Sequence, residues 1–166
     1  GETTPPLCKV KRCRKEGKMH YFVGIIIRNN PEEINETTIQ NIIGRYGDGK
    51  RWDWFVIGGR WSGGITGKYI EDDTYHSNIK HNVISVPDFL KLNANDKTRR
   101  AINKMLDKEL FIPHIIVTPT PRWYDREEDW NDKENDKKLH DEWQKKVLRI
   151  VAKYPDCYIV GVDCHN

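Results

Sequence analysis

The sequence predicts a single α+β domain, in which two to three helices pack on a mainly antiparallel sheet. A chain of 166 residues has the size of one domain and can bury a sizeable core. Short runs of β-branched and aromatic residues have the length of strands, and segments with helical spacing of apolar residues lie between them. These elements lack the strict strand–helix alternation of a parallel sheet. That order favours antiparallel pairing with the helices on one side.

The strands are predicted from β-branched and aromatic runs bounded by turn residues. His20–Arg28 has no helical period, which is typical of a buried strand. Gly58 and Gly59 interrupt the strand Trp54–Ile57, and Ile65–Ile70 is expected to return as its hairpin partner. The remaining predicted strands are 82–86, 114–118 and 157–163, and 122–136 is expected to be a charged loop rich in Trp.

The helices are predicted from capping signals and from apolar stripes. Asn30-Pro31-Glu32-Glu33 is typical of a helix start, and Gly44 is expected to end that helix. The clearest helix is 139–154, because its apolar residues recur every three or four positions. They are Leu139, Trp143, Val147, Ile150, Val151 and Tyr154. A helical turn is predicted at 87–92 and a further helix at 96–111.

Composition excludes several classes of protein. A net charge of +3 is too small to attract nucleic acid in bulk, so such binding would need a local basic patch. No apolar stretch approaches the roughly 18 residues of a membrane span, and Gly1–Lys18 lacks the apolar core of a secretory signal. We therefore expect a cytoplasmic protein with reduced thiols. The absence of a Cys-x-x-Cys pair argues against structural zinc, and we expect neither a metal nor a cofactor.

Residues 1–18 are polar and basic, and we interpret them as a disordered or loosely docked arm that precedes a single domain at 19–166. Their cations could contact phosphate, although a solvated tail is the simpler interpretation. Lys15 to Met19 can be encoded by a purine-rich ribosome-binding site followed by a start codon. We therefore hypothesise that Met19 is the natural start.

The segment from Trp52 to Gly64 is the first candidate site. Paired glycines at Gly58-Gly59 allow a sharp turn and a close approach to a ligand, and successive N–H groups in such a turn can form an anion nest. Arg60 adds a guanidinium suited to phosphate, and Trp61 offers a stacking face. The alternative is a glycine bulge in a hairpin, with Trp54 and Trp61 in the core and Arg60 paired to Asp53.

The second candidate site is formed by the two ends of the predicted sheet. Asp163 and His165 are two residues apart and share a face of an extended chain, so the carboxylate could orient the imidazole. If the first and last strands pair antiparallel, His20 meets His165. Two histidines can divide the acid and base roles of metal-independent phosphodiester cleavage. The alternative is a frayed end with capped polar groups, and Cys164 is a weaker candidate nucleophile.

The third candidate is the stretch around Arg122 and Trp123, which follows two prolines and precedes a charged segment. It could form a binding loop or lid of arginine and aromatic side chains. A charged surface loop is the simpler interpretation.

The motifs Met19 to Phe22, Asp53 to Trp61 and Asp163 to His165 resemble an uncharacterised family of small proteins of phages and other mobile bacterial elements. Members of that family carry a Trp-Asp-Trp-aromatic-x-Ile/Leu-Gly-Gly-Arg-Trp segment and end near an Asp-Cys-His sequence. The resemblance does not extend to 71–112. It implies a phage-type accessory protein in a bacterial cytoplasm, and no known activity.

Three functions remain open from the sequence. The first is binding of a nucleotide or nucleic-acid phosphate by the Gly-Gly-Arg-Trp loop, with phosphodiester cleavage by His20 and His165. The second is a non-enzymatic inhibitor of a host defence or regulatory protein, anchored by exposed Trp and Arg side chains. The third is a structural accessory protein. The first requires Arg60 and both histidines around one site, whereas a flat exposed patch of Trp would favour the second.

Overall fold

The computed structural model describes residues 20–47, 51–68, 79–106, 111–126 and 136–166. The predicted arm at 1–18 and the predicted start at Met19 lie outside the described residues. Six strands occur in these ranges: β1 His20–Ile27, β2 Trp54–Ile57, β3 Val83–Ser85, β4 Ile115–Val117, β5 Trp123–Asp125 and β6 Tyr158–His165. The α-helices are α1 Glu36–Ile43, α2 Val86–Asn93, α3 Asp96–Leu106 and α4 Asp136–Val151. The α+β class is confirmed, with four helices in place of the two to three predicted.

The strands form one sheet in the order β2-β6-β1-β4-β5, and β3 pairs with β6 beside β2. All pairs are antiparallel except β1 with β4, which confirms the mainly antiparallel sheet. β6 is the common partner of β1, β2 and β3. Its register with β1 sets His20 opposite His165 and Ile27 opposite Tyr158.

The sheet separates two apolar cores. β1 is buried along its whole length, with Val23 in one core and Phe22 in the other. Ile39 of α1 lies in the first core, whereas α2 and α4 contribute Phe89 and Val147 to the second. The expectation that the helices lie on one side is therefore wrong. The unbroken apolar run of β1 indicated this arrangement in the sequence. A strand that is apolar on both faces must be covered by other elements on both sides of the sheet.

Three local predictions are also wrong. The residues after Asn30 form only a 3-10 turn, and α1 begins after Asn35, whose side chain accepts a hydrogen bond from the Thr38 N–H at 3.0 Å. The part of 65–70 that the structure describes is a turn, because β2 pairs with β6 and not with the chain that follows it. The predicted loop at 122–136 contains β5, since Trp123 and Tyr124 pair with β4.

Helix α4 packs on the sheet as predicted. Trp143, Val147 and Val151 lie in the core that also contains Phe22 of β1 and Ile159 of β6. The Trp143 indole N–H donates a hydrogen bond of 2.9 Å to the Pro113 carbonyl, which fixes the helix beside β4. In the described residues, no helix is both long enough and apolar enough to cross a membrane.

Candidate active site

The pairing of β1 with β6 brings two histidines together. His20 begins β1 and His165 ends β6, and the register makes them direct cross-strand partners. Their ring centroids are 4.9 Å apart with an interplanar angle of 72°. The prediction that these histidines approach each other is therefore confirmed.

Asp163 forms a hydrogen bond with His20, although the sequence favoured its neighbour His165. The Nδ1 atom of His20 lies 2.8 Å from Oδ1 of Asp163, and both side chains are buried. Asp163 lies opposite Phe22, so His20 is its diagonal cross-strand neighbour. Such neighbours lie within reach of long side chains. The register therefore explains why this carboxylate contacts the other strand.

His165 has its own carboxylate partner, Asp53. The Nδ1 atom of His165 lies 2.8 Å from Oδ1 of Asp53, and the Asp53 N–H donates to the His165 carbonyl, also at 2.8 Å. The His165 side chain is 15% exposed and that of Asp53 is 50% exposed. Asp53 was expected to bind a ligand or to pair with Arg60, and its contact with His165 was not predicted.

Both histidines therefore have the same hydrogen-bond arrangement. In neutral imidazole an Nδ1–H that donates to a carboxylate leaves the lone pair on Nε2. Nε2 of His20 is buried and has no hydrogen-bond partner within the described part of the chain. A substrate hydroxyl would reach this atom only after a neighbouring group moves. Nε2 is thus the ring atom that could exchange a proton in each histidine, and in His20 it is closed to solvent in this structure.

The Gly58-Gly59 turn holds the carboxylate of Asp163. Both glycines have positive φ, 79° and 53°, and the N–H of Arg60 donates to Oδ2 of Asp163 at 3.0 Å. A Cβ on Gly59 would lie 2.5 Å from the Asp163 Cβ. The absence of a Cβ at Gly59 does allow a close approach, but the approaching group is the Asp163 side chain and not an external ligand.

Three further amides of this turn are also used internally. The N–H groups of Trp61 and Ser62 donate to the carbonyls of Gly58 and Gly59, and the N–H of Gly63 donates to the Asn82 amide oxygen at 3.0 Å. These amides of the anion nest expected from the sequence are thus occupied by groups of the protein. The Arg60 guanidinium makes no hydrogen bond within the described residues and could bind an external anion.

Arg60 and the two neighbouring tryptophans differ in accessibility. Arg60 is partly exposed, as predicted, and within the described residues its guanidinium makes no hydrogen bond or ion pair. Trp61 stacks on Phe22 at a centroid distance of 5.6 Å, so it packs the core. Trp54, which the alternative interpretation placed in the core, is 46% exposed, and its ring centroid lies 6.1 Å from that of His165. Trp54 is therefore the aromatic face beside the histidines.

Arg122 and Trp123 do not belong to this site. Trp123 is buried in the core and lies 4.9 Å from Tyr46, measured between ring centroids. It pairs with Val117, which is level with Ile25, towards the opposite end of β1 from His20. The Arg122 guanidinium lies over the Tyr124 ring at 5.1 Å. The structure therefore does not bring Arg122 and Trp123 to the histidine site, since Trp123 is a core residue of β5, and their predicted role in ligand binding stays a prediction.

Cys164 is unsuited to act as a nucleophile. Its side chain is fully buried on the opposite face of β6 from Asp163. Burial raises the pKa of the Cys164 thiol well above its usual value, and the neighbouring carboxylate of Asp163 raises it further. Among the residues that the structure describes, no three His, Cys, Asp or Glu side chains are grouped to hold a metal ion.

Comparison of the chain with models of known protein families, with curated proteins and with solved structures finds no match.

Replacing Gly59 with alanine tests whether the turn supports Asp163. An L-residue at positive φ costs about 1–3 kcal/mol, and displacement of a buried carboxylate from its donors costs about 1–3 kcal/mol more. We expect the free energy of unfolding, measured by urea denaturation, to fall by about 2–6 kcal/mol. Gly44→Ala is the control, because Gly44 is helical and its added Cβ would meet only the flexible Gln40 side chain. If both variants were as stable as the wild type, the described turn would be incorrect.

Proposed function

We propose that the protein cleaves RNA phosphodiester bonds by general acid–base catalysis, with His20 and His165 as the two proton-transfer groups. The observation that carries this proposal is the pair of His–Asp hydrogen bonds on directly opposed residues of two strands. Each carboxylate orients an imidazole and fixes which ring nitrogen carries the proton. One histidine can therefore accept a proton while the other donates one.

The proposed reaction uses the 2′-hydroxyl of the substrate as nucleophile. Nε2 of His20 accepts the 2′-OH proton, the 2′-oxygen attacks phosphorus, and the P–O5′ bond breaks. Nε2 of the protonated His165 donates its proton to the departing 5′-oxygen. The products are a 2′,3′-cyclic phosphate and a 5′-hydroxyl end, and exchange with water restores both histidines. His165 is assigned as the acid because its side chain is 15% exposed, so solvent can return a proton to it after each turnover.

Two neighbouring groups suit the binding of a nucleotide. The Arg60 N–H donates to Asp163, which fixes the main chain of Arg60 close to the hydrogen bond between His20 and Asp163. The Arg60 side chain therefore extends from a fixed position near His20. A guanidinium forms two parallel hydrogen bonds with a phosphate. The exposed ring of Trp54 next to His165 is suited to stacking on a base. We assign phosphate binding to Arg60 and base stacking to Trp54.

The biological setting that we propose is a phage-type accessory protein in a bacterial cytoplasm, which rests on the motif resemblance alone. A flat exposed patch of tryptophan would favour inhibition of a host defence protein instead. In the described residues the large exposed hydrophobic side chains are Trp54 and Met105, which do not form a patch of tryptophan. We therefore favour the enzymatic proposal.

The test is a panel of cyclic and linear nucleotides and short RNAs, scored for binding and for cleavage in the presence of a chelator. Cleavage should yield a 2′,3′-cyclic phosphate. A single 2′-deoxy substitution at the cleaved position should abolish it, because the nucleophile is then missing. Cleavage of the 2′-deoxy substrate at an equal rate would exclude this mechanism, and absence of both binding and cleavage would exclude the proposed function.

Arg60→Lys keeps the positive charge and loses the planar pair of donors. If Arg60 binds phosphate through two hydrogen bonds, loss of one should cost about 1–2 kcal/mol, or about 5- to 30-fold in kcat/KM. The melting temperature should not change. Arg45→Lys is the matched control, since Arg45 is exposed beside α1 on the opposite face of the sheet. An equal loss in both variants would remove Arg60 from the site.

A further inference from the structure

A second basic feature lies apart from the histidine pair. A cavity of about 400 Å³ is lined by Arg126, directly after β5, and by side chains of α4. Three of the α4 side chains are cations: Lys145, Lys146 and Arg149. Glu142 is the acidic residue of the lining. This basic cavity therefore concentrates positive charge on a chain whose net charge is only +3.

Two of these cations are held in place by the fold. The Arg126 N–H donates to the His114 carbonyl at 2.9 Å, which extends the pairing of β5 with β4. Arg126 is only 2% exposed, so it lies within the wall of the cavity and presents little of its own surface there. The Lys146 ammonium lies 5.6 Å from the Tyr124 ring centroid and 5.9 Å from that of Trp143. Such cation–π contacts restrain a lysine side chain.

The other two cations form a row along the helix. Lys145 and Arg149 are exposed and four residues apart, so they are neighbours on one face of α4. Charges spaced by one helical turn suit successive phosphates of a strand better than one small anion. Because the net charge cannot attract nucleic acid in bulk, a local array of this kind is what such binding requires.

We propose that the basic cavity binds the phosphate backbone of single-stranded RNA on one side of the cleaved bond. The position of this subsite relative to cleavage rests on the proposed function. His114 connects the basic cavity with β1, the strand that begins at His20. Its carbonyl accepts a hydrogen bond from the Arg126 N–H, and its Nδ1 accepts one from the Phe22 N–H at 3.1 Å. β5 lies two strands from β1 in the sheet, which is about 10 Å at ~4.8 Å per strand. An RNA strand spans that separation within a few nucleotides.

The experiment measures binding separately from cleavage. A fluorescent 2′-O-methyl RNA about 12 nucleotides long cannot be cleaved through its 2′-oxygen, so its affinity can be titrated against salt with the full chain. Each lost phosphate contact lowers the slope of log K against log salt by about 0.7. Lys145→Ala/Arg149→Ala should therefore lower the slope by about 1.4. The control Arg45→Ala/Lys91→Ala removes the same charge from exposed positions outside the cavity and should keep the wild-type slope.

The possible results separate this proposal from the proposed function. An unchanged slope in Lys145→Ala/Arg149→Ala, an equal loss in the control, or no binding by the wild type would overturn it. Displacement of the RNA by inorganic phosphate or a mononucleotide at equal concentration would also overturn it, because the cavity would then take a small anion. A lowered slope without cleavage of any RNA would support the subsite and refute the catalytic proposal. Cleavage by the double variant with a raised KM and an unchanged kcat would support both.

Discussion

Alanine at His165 is expected to lower the turnover of a short RNA by about 10²- to 10⁴-fold, the range that a general acid or base contributes. The variant removes the proposed proton donor and leaves the partly exposed Asp53 in contact with solvent, so the fold should tolerate it. RNA binding should change little, because Arg60 and the basic cavity remain. The measurement is kcat for the 2′,3′-cyclic phosphate product, with the melting temperature as the check on folding.

His20→Ala should lower turnover to a similar extent, but this histidine is buried and its loss leaves Asp163 short of a partner. Its effect is interpretable only if the variant melts as a folded protein. The double variant should be little worse than either single variant, because two groups that act in one step are not additive. His81→Ala, in the 3-10 turn Ile79–His81, is the control and should retain turnover. Retained turnover in His165→Ala would assign the chemistry elsewhere.

Trp143→Asp is expected to unfold the domain. The indole is almost fully buried between α4 and the sheet, and truncation of such a side chain alone costs about 3–5 kcal/mol. An unpaired carboxylate in that position adds a further penalty, while the whole stability of a domain is about 5–15 kcal/mol. Circular dichroism of the purified variant should show no cooperative thermal transition. A melting temperature within a few degrees of the wild type would contradict the packing of α4.

Trp143→Phe is the control for that experiment. Phenylalanine keeps most of the apolar contact but loses the indole N–H that donates to the Pro113 carbonyl. A buried acceptor without its donor costs about 1–3 kcal/mol. The variant should therefore remain folded with a lowered melting temperature. Complete unfolding of Trp143→Phe would mean that the aspartate variant does not report on the buried charge.

The meeting of His20 with His165 could be predicted because it requires only that the first and last described strands pair antiparallel. The pairing of Asp163 with His20 and of Asp53 with His165 could not be predicted from the sequence. Contact between Asp53 and His165 requires β2 to pair with β6, whereas the local signals at Gly58-Gly59 favoured a hairpin with the following residues. Contacts between residues far apart in sequence leave no local pattern, and here the two partners are 112 residues apart.

Glycine-rich turns are ambiguous for a related reason. A residue with positive φ and no Cβ permits any group to approach closely, so the pattern cannot tell a ligand from a side chain of the same chain. At Gly59 the approaching group is Asp163. Trp123 was assigned to a loop because its neighbours in the sequence are charged. Its own β-propensity was the correct signal, since Trp123 lies in β5.

The position of β6 also has a consequence for how the chain folds. Among the described strands, β2 and β3 pair only with β6, and β1 gains its second partner from β6 in addition to β4. The His20–Asp163 contact closes a separation of 143 residues. Contacts between residues far apart in the sequence require loop closure, which lowers the entropy of the chain before the contact can stabilise the fold. Such contacts therefore slow folding. During synthesis, β2 and β3 would remain unpaired, and β1 would have only β4 as a partner, until β6 emerges from the ribosome. Until then the edges of β1 and β2 are open to pairing with other chains.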